Sequence, residues 1–298
     1  MHCGSTVTRS SSFVKAAEFQ DARKRIVAQS LAAYPVELPR VRWRGQSYAL
    51  LRSLGSGETA KVFLAERMDP HPQRVILKLA HSENSVIRLQ SEADVLSQLQ
   101  AIESPDAAYF SQRLLQLVGV STAETQAGKC PALVLRHLPG YWGSLADVLH
   151  SMRSGHTGMN PRHLVWIWRR ILDILAFVHA NGWTHGDLAP DHLLVHPRDH
   201  GVLIIGWGRA KKNATAAATR DLMQSAWSVS ALLKAPSDHP GTYDTLPDPL
   251  STLLRRACED SDWCTQLGAR GIDQALVDVA RKVFGSPTFL PFDPTSPH

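Results

Sequence analysis

At 298 residues the chain has room for about two domains or one bilobal unit, with enough length to bury a real core. An apolar fraction of 44%, a charged fraction of 20% and eight Trp exclude disordered, collagen-like and coiled-coil classes. The net charge of +5, from 32 Lys and Arg against 27 Asp and Glu, is spread in short clusters such as Arg23-Lys24-Arg25 and Arg40, Arg42, Arg44; with no reader motif beside them these form a solvated basic face, and no specific nucleic acid is expected as a partner.

The first residues, MHCGSTVTRSSSF, are polar and lack the apolar stretch of a secretory signal, and Glu18 and Asp21 weaken a transit-peptide reading, which points to the cytoplasm. Residues 1 to about 12 read as a disordered tail and 13–33 as helix-compatible, ended by Pro35 and Pro39, so that 1–45 form an N-terminal extension. From Gln46 the pattern changes to β-type runs, QSYALLRSLG, KVFLAER and RVILKLA, punctuated by Gly or Pro as in an antiparallel meander. A helix, SVIRLQSEADVLSQLQ, follows with Val86, Leu89, Ala93, Leu96 and Leu99 on one stripe, then two strands, LLQLVGVST and PALVLRHL. Beyond Pro139-Gly140 the chain turns helical. GSLADVLHSM is short, and PRHLVWIWRRILDILAFVHANG is long, with Pro161 in its first turn and Asn181-Gly182 as its stop. Ile272 to Phe284 reads as a closing helix, followed by an aromatic tail, GSPTFLPFDP, that either packs back or marks a partner surface. The longest apolar runs, such as Val202-Leu203-Ile204-Ile205, fall far short of the ~18 residues of a spanning helix, so no membrane partner is expected.

Three segments carry chemistry. Gly55-Ser56-Gly57 opens a stretch between two strands, where glycines let backbone N–H groups fold over phosphates; alone it is also what any glycine-bearing hairpin looks like. Lys78 ends the apolar strand Val75-Ile76-Leu77, an odd place for a charge without a partner. Glu92 on the next helix either holds it as a phosphate-binding lysine or is a solvated neighbour of an edge lysine. The most informative segment is Trp183-Thr184-His185-Gly186-Asp187-Leu188-Ala189-Pro190-Asp191-His192-Leu193-Leu194-Val195, directly after the long helix.

That segment resembles the catalytic loop of the protein kinase-like superfamily. The order of glycine loop, strand lysine, helix glutamate, two strands, hinge, long helix and His-x-Asp loop is similar to that family over residues 47 to about 233. Gly186, where ordinary eukaryotic-type protein kinases carry Arg, resembles small-molecule and atypical kinases. The resemblance implies an α+β, bilobal kinase-like fold: an antiparallel-sheet N-lobe over 46–139, a helical C-lobe over 140–298 with closing helix and tail, and a short activation segment. It implies ATP as the ligand. Gly55, Gly57 and Val62 would cover the nucleotide, Lys78 would pair with Glu92 and reach the phosphates, and backbone groups of Arg136 and Leu138 would meet adenine after Leu135. Asp187 would stand at the position of the catalytic base, vestigial if the chain transfers no phosphate. Asp221 would anchor the backbone of the His-x-Asp loop, unless it is a plain N-terminal helix acid.

The pattern departs from the family at two positions together. Where kinases carry a magnesium-binding Asn this chain has His192, and where they carry the Asp of Asp-Phe-Gly it has Gly206. Mg²⁺ prefers oxygen donors, so it is not expected to be held in the usual way unless Asp191 or Asp199 supplies an oxygen from a shifted position. Fifteen positions separate Gly206 from Asp221, with no Ala-Pro-Glu motif. The expectation is a pseudokinase serving as a nucleotide-binding or regulatory interaction module with a protein partner. The rivals are an active atypical serine/threonine or small-molecule kinase with unusual metal use, and a scaffold that binds no nucleotide. Cys3, Cys130, Cys258 and Cys264 read as reduced thiols; Cys258, Cys264 and His239 fit no zinc spacing, and His196 and His200 read as loop residues rather than a metal pair. Trp166, Trp168 and Trp227 are expected to be core or lobe-packing residues rather than a cofactor box.

Overall fold

The computed structural model describes residues 38–69, 71–155, 159–233 and 246–294. Most of the expected N-terminal extension, including its tail and the 13–33 stretch, lies outside the described residues, as do Cys3 and His239. The described chain divides into two compact units, 38–81 with 121–132, and 82–120 with 133–294. Among the described residues no helix is long and apolar enough to cross a membrane.

The first unit is built on strands β1 (Arg40–Trp43), β2 (Gln46–Ser56), β3 (Ala60–Arg67) and β4 (Arg74–Ala80), with the turn-proximal parts of β5 (Leu117–Thr125) and β6 (Gly128–Arg136). The strand order is β1-β2-β3-β4-β6-β5, closed as a barrel by β1 against β5, where Trp43 faces Ala123. The expected meander is therefore present, but residues 40–43 are one of its strands rather than merely a charged cluster. Val41 and Trp43 turn into the core while Arg40 and Arg42 face outward, the period-two alternation of a half-buried strand. Arg44 and Gly45, at φ 47° and 75°, make the two-residue turn into β2, a turn whose twist suits a hairpin. Small and branched side chains fill the interior: Ala65, Val75, Leu77, Ala123 and Ala132 are all essentially buried.

The second unit begins with helix α1 (Val86–Gln100), whose buried face holds Leu89, Ala93, Leu96 and Leu99 as expected, with Val95 and Glu92 added; Val86 is only half-buried. A short α2 (Ala107–Ser111) stacks Phe110 on Phe177, centroids 4.4 Å apart. After β7 (Gly143–Ser144), Ser144 and Asp147 cap α3 (Leu145–Gly155) reciprocally: the Ser144 N–H donates to Asp147 Oδ2 at 2.7 Å and the Asp147 N–H to Ser144 Oγ at 3.1 Å. Helix α4 (Pro161–Ala180) is the unit's axis. Asn160 caps it by accepting the Arg162 N–H at 3.0 Å, and Leu164, Ile167, Trp168, Ile171, Leu172, Leu175 and Val178 recur at the steps of three and four that bury one face.

Next come β8 (Trp183–Thr184), β9 (Leu193–His196), β10 (Gly201–Ile204) and β11 (Lys211–Lys212), as a three-stranded sheet β10-β9-β7 and a two-stranded pair β11-β8. Helices α5 (Thr215–Ser230), α6 (Asp248–Glu259) and α7 (Ser261–Phe284) complete the unit. Helix α5 starts six residues before Asp221, so Asp221 is an interior helix residue and not a first-turn acid. Helix α6 was not foreseen, and α7 starts well before Ile272, bending at Gly268 with φ 61°. Trp168 is fully buried, donating Nε1–H to Ser225 Oγ at 3.0 Å, whereas Trp227 is 56% exposed and no core residue, its Nε1–H donating to the Cys258 carbonyl at 3.0 Å. The C-terminal segment packs back: Phe292 is buried against His163, and Ser151 donates to the Pro294 carbonyl at 2.7 Å.

Candidate functional site

In the first unit, strand register gathers the glycine loop and the strand lysine. Val62 is opposite both Gly55 on β2 and Lys78 on β4, so these three residues form one cross-strand row. Gly55 stands at φ 152° after a register shift in β2, and a β-carbon at Gly55 or Gly57 would meet nothing within 4 Å, so the loop backbone borders open space. A residue that the sequence reading missed pins this loop. His81 Nε2–H donates to the Gly57 carbonyl at 3.0 Å, and the His81 N–H donates to the Thr59 carbonyl at 3.0 Å. Lys78, half-buried, belongs to this unit and Glu92 to the other, where it is 4% exposed on α1.

In the second unit the His-x-Asp loop hangs on Asp221. This fully buried carboxylate accepts the N–H groups of His185 and Gly186, each at 2.7 Å, and Nε2–H of His179 at 3.1 Å. Leu188 is held by α5 as well, its N–H on Gln224 Oε1 and its carbonyl on the Ser228 hydroxyl. His185 is buried, donates Nε2–H to the Ile205 carbonyl at 2.9 Å and accepts the Asp187 N–H on Nδ1. Burial, only partly offset by the nearby Asp221 carboxylate, pushes its pKa down to about 4, so the ring is neutral and its tautomer fixed. Asp187 is left half-exposed, its Oδ2 lying 3.7 Å from His192 Nδ1 and 3.6 Å from Arg209 Nε.

The hinge after Leu135 is tied down at both ends within this unit. The Arg136 N–H donates to the Gln116 carbonyl at 2.9 Å, so a base meeting Arg136 would find its carbonyl, not its N–H. Gly140, at φ 94°, lies so close to the His196 ring that a β-carbon would stand 1.9 Å from Nε2, and Tyr141 packs edge-on against the same ring. His196 is thus a packing residue of the hinge turn, and His200 is stacked between Trp166 and Phe289.

A family model described as "Protein tyrosine and serine/threonine kinase" matches residues 48–230, more than half of the chain. The chain belongs to the protein kinase superfamily. An antiparallel-sheet unit and a helical unit are the two parts of that fold. Similar proteins include the serine/threonine-protein kinase YabT of Bacillus subtilis (strain 168), 28% identical over 52% of this chain and 40% of its own length. Others are serine/threonine-protein kinase pkn3 of Myxococcus xanthus, 27% identical over 55% of this chain and 28% of its own, and PknD of Mycobacterium tuberculosis, 29% identical over 56% and 23%. The chain matches less than half the length of each of these relatives.

Kinases use ATP and magnesium, and the residues at this loop do not fit the ion. His192 donates Nδ1–H to the Asp187 carbonyl at 2.7 Å, which spends that nitrogen on the loop itself. Gly206 has no donor, and a β-carbon there would stand 2.8 Å from His192 Cδ2 and 2.9 Å from Nε2. The Asp187 carboxylate faces the Arg209 guanidinium and the His192 Nδ1–H, neither of which can ligate a metal, instead of a second oxygen ligand, a poor set for a hard cation. Asp199, considered above as a shifted ligand, sits in the β9–β10 turn with its carboxylate 3.6 Å from His196 Nε2. Asp191 is exposed on the turn before His192. Among the described residues no group of three or more His, Cys, Asp or Glu is arranged to hold a metal.

Proposed function

We propose that this protein is a pseudokinase: a cytoplasmic nucleotide-binding or regulatory interaction module that works through a protein partner and does not transfer phosphate. The observation that carries the reading is the His192 ring filling the space over Gly206, beside an Asp187 carboxylate already faced by His192 and Arg209. Phosphoryl transfer rests on positioning and on neutralising phosphate charge, so loss of both metal-holding side chains removes several kcal/mol of barrier lowering, orders of magnitude in rate. Gly55, Gly57, Val62 and Lys78 retain the family's glycine-loop and strand-lysine pattern, and Arg136 and Leu138 follow Leu135 as in a hinge, which supports ATP as the ligand.

Calorimetric titration with ATP, alone and with Mg²⁺ or Mn²⁺, tests this. Weak binding that the metals hardly change is expected; a steep magnesium requirement sinks it. The rival, an active kinase of unusual metal use, draws on the retained Lys78, Glu92 and Asp187 and on relatives named as serine/threonine kinases.

A further inference from the structure

The chain beyond α7 lies in a groove of the helical unit whose walls are fixed without it. Trp166 of α4 donates Nε1–H to Nδ1 of the buried His163, one turn earlier, at 3.1 Å, which sets the orientation of both rings. His200, at φ 48° in the β9–β10 turn, lies flat on Trp166 with centroids 4.4 Å and planes 5° apart, and Arg170 Nε–H donates to its carbonyl at 3.1 Å. A non-glycine residue at positive φ costs energy, so it is the surrounding contacts that hold this ring in place. Three side chains from two elements thus form a preformed aromatic trough.

Residues 286–294 occupy that trough without forming helix or strand. Phe289 stacks on His200 with centroids 4.3 Å apart, and the buried Phe292 ring has its centroid 4.8 Å from that of His163 and 5.6 Å from that of Trp166. Side chains of the body also reach for the segment: Arg162 Nη1–H donates to Thr288 Oγ1 at 3.0 Å and Ser151 Oγ–H to the Pro294 carbonyl at 2.7 Å. Pro287, Pro291 and Pro294 bias it toward an extended chain, which loses little entropy on seating. Yet the fit is partial, because Phe289 remains 67% exposed. Helix α7 is complete without the segment, since the Gly285 N–H closes its last turn on the Arg281 carbonyl at 2.9 Å, and Gly285, at φ 75°, supplies a pivot.

We propose that this trough is a docking site for an extended segment of a partner protein, one that carries two aromatic side chains three positions apart among prolines, and that residues 286–294 are its resident competitor. The resident segment shows what the trough accepts. The exposed Phe289 shows what a better occupant adds: a larger ring there buries more surface on His200. A second copy of this chain is the weaker candidate, because its segment makes the same contacts and must compete with a tethered one at an effective concentration of roughly millimolar. The inference deepens the interaction-module reading and rests on it for the existence of a partner. The trough itself involves neither nucleotide nor phosphate transfer, so each can fail while the other stands.

The test is fluorescence anisotropy, without nucleotide, of a labelled peptide with the sequence of residues 285–294 on the full wild-type chain and on full-length Phe292→Ala, which loses the buried anchor of its own segment. The variant should melt within a few degrees of wild type and bind the peptide at least about tenfold more tightly than wild type does. The same peptide with Phe289→Trp should bind more tightly still, and one with Phe289→Ser and Phe292→Ser should not bind. Adding His200→Ala to Phe292→Ala should weaken peptide binding by about threefold or more. In wild type, saturating Phe289→Trp peptide should speed amide hydrogen exchange at Phe289, Leu290 and Phe292 about tenfold, a readout that decides the question even where Phe292→Ala does not fold. Equal binding to wild type and Phe292→Ala, no binding to a normally melting Phe292→Ala, no gain from the larger ring, indifference to His200→Ala, unchanged exchange in wild type, or micromolar dimerisation that Phe292→Ala abolishes overturns the assignment.

Discussion

The His192 imidazole occupies the place where a side chain at position 206 would begin. Its Cδ2, Nε2 and Cγ atoms lie 2.8, 2.9 and 3.1 Å from the ideal β-carbon of Gly206, and Gly206 itself stands at φ 82°. The two departures from the kinase pattern are therefore sterically linked: a side chain cannot return at position 206 while the His192 ring keeps this place.

Gly206→Asp alone should destabilise the protein by about 1–3 kcal/mol, from the left-handed backbone and the collision with His192. Adding His192→Asn removes the ring, so the double variant should recover part of that loss. It should also gain magnesium-dependent ATP binding that neither single variant shows. Thermal melts and titrations of the three variants decide this; a Gly206→Asp protein as stable as wild type means that the ring moves aside freely.

Asp221 is the mechanical support of the loop. Asp221→Asn exchanges one acceptor oxygen for a donor facing a backbone N–H, in a site with no solvent to compensate. A cost on the order of 3 kcal/mol is expected in urea denaturation. A change below ~1 kcal/mol would show that the two 2.7 Å bonds are replaceable.

Helix periodicity made α1 and α4 legible, and the order of motifs exposed the His-x-Asp loop, because those signals repeat or sit within a dozen residues. What stayed hidden depends on approaches between distant residues. The arginines of 40–44 drew attention to charge while the Val41 and Trp43 alternation marked a strand. No spacing links His81 to Gly57 or Gly140 to His196, since each pair meets only once the chain has folded.

His185 makes stability depend on pH. Its folded pKa of about 4 lies below the ordinary 6.5, so between these values the unfolded chain binds a proton that the folded one refuses. Its contribution is fully present above pH 6.5, falls as pH drops from there toward 4, and is level below that. The full span is on the order of 3 kcal/mol. Wild type minus His185→Asn, compared by urea midpoints from pH 4.5 to 7.5, should isolate this slope. A difference that does not vary with pH means the ring titrates normally.

Lys78 is half-buried on β4, in one row with Val62 and Gly55, and is not a core residue of the barrel. Lys78→Met should keep the melting temperature within a few degrees of wild type and abolish detectable ATP binding in calorimetry. An unfolded variant, or one that binds ATP as wild type does, removes Lys78 from the nucleotide site.

Asp187 gives the sharpest test of catalysis. A carboxylate serves as a base when the hydroxyl it deprotonates lies beside an oriented, charge-neutralised phosphate. Here its Oδ2 is instead 3.6 Å from Arg209 Nε and 3.7 Å from His192 Nδ1, so the group acts as a counter-ion within the loop. Both partners are more than a quarter exposed, so solvent screens the pairing and its loss should cost less than about 1 kcal/mol. Asp187→Asn should therefore fold normally, and both it and the wild type should give no phosphate transfer from labelled ATP to themselves or to a general protein substrate. Robust transfer by the wild type that vanishes in Asp187→Asn would establish an active kinase and end the pseudokinase reading.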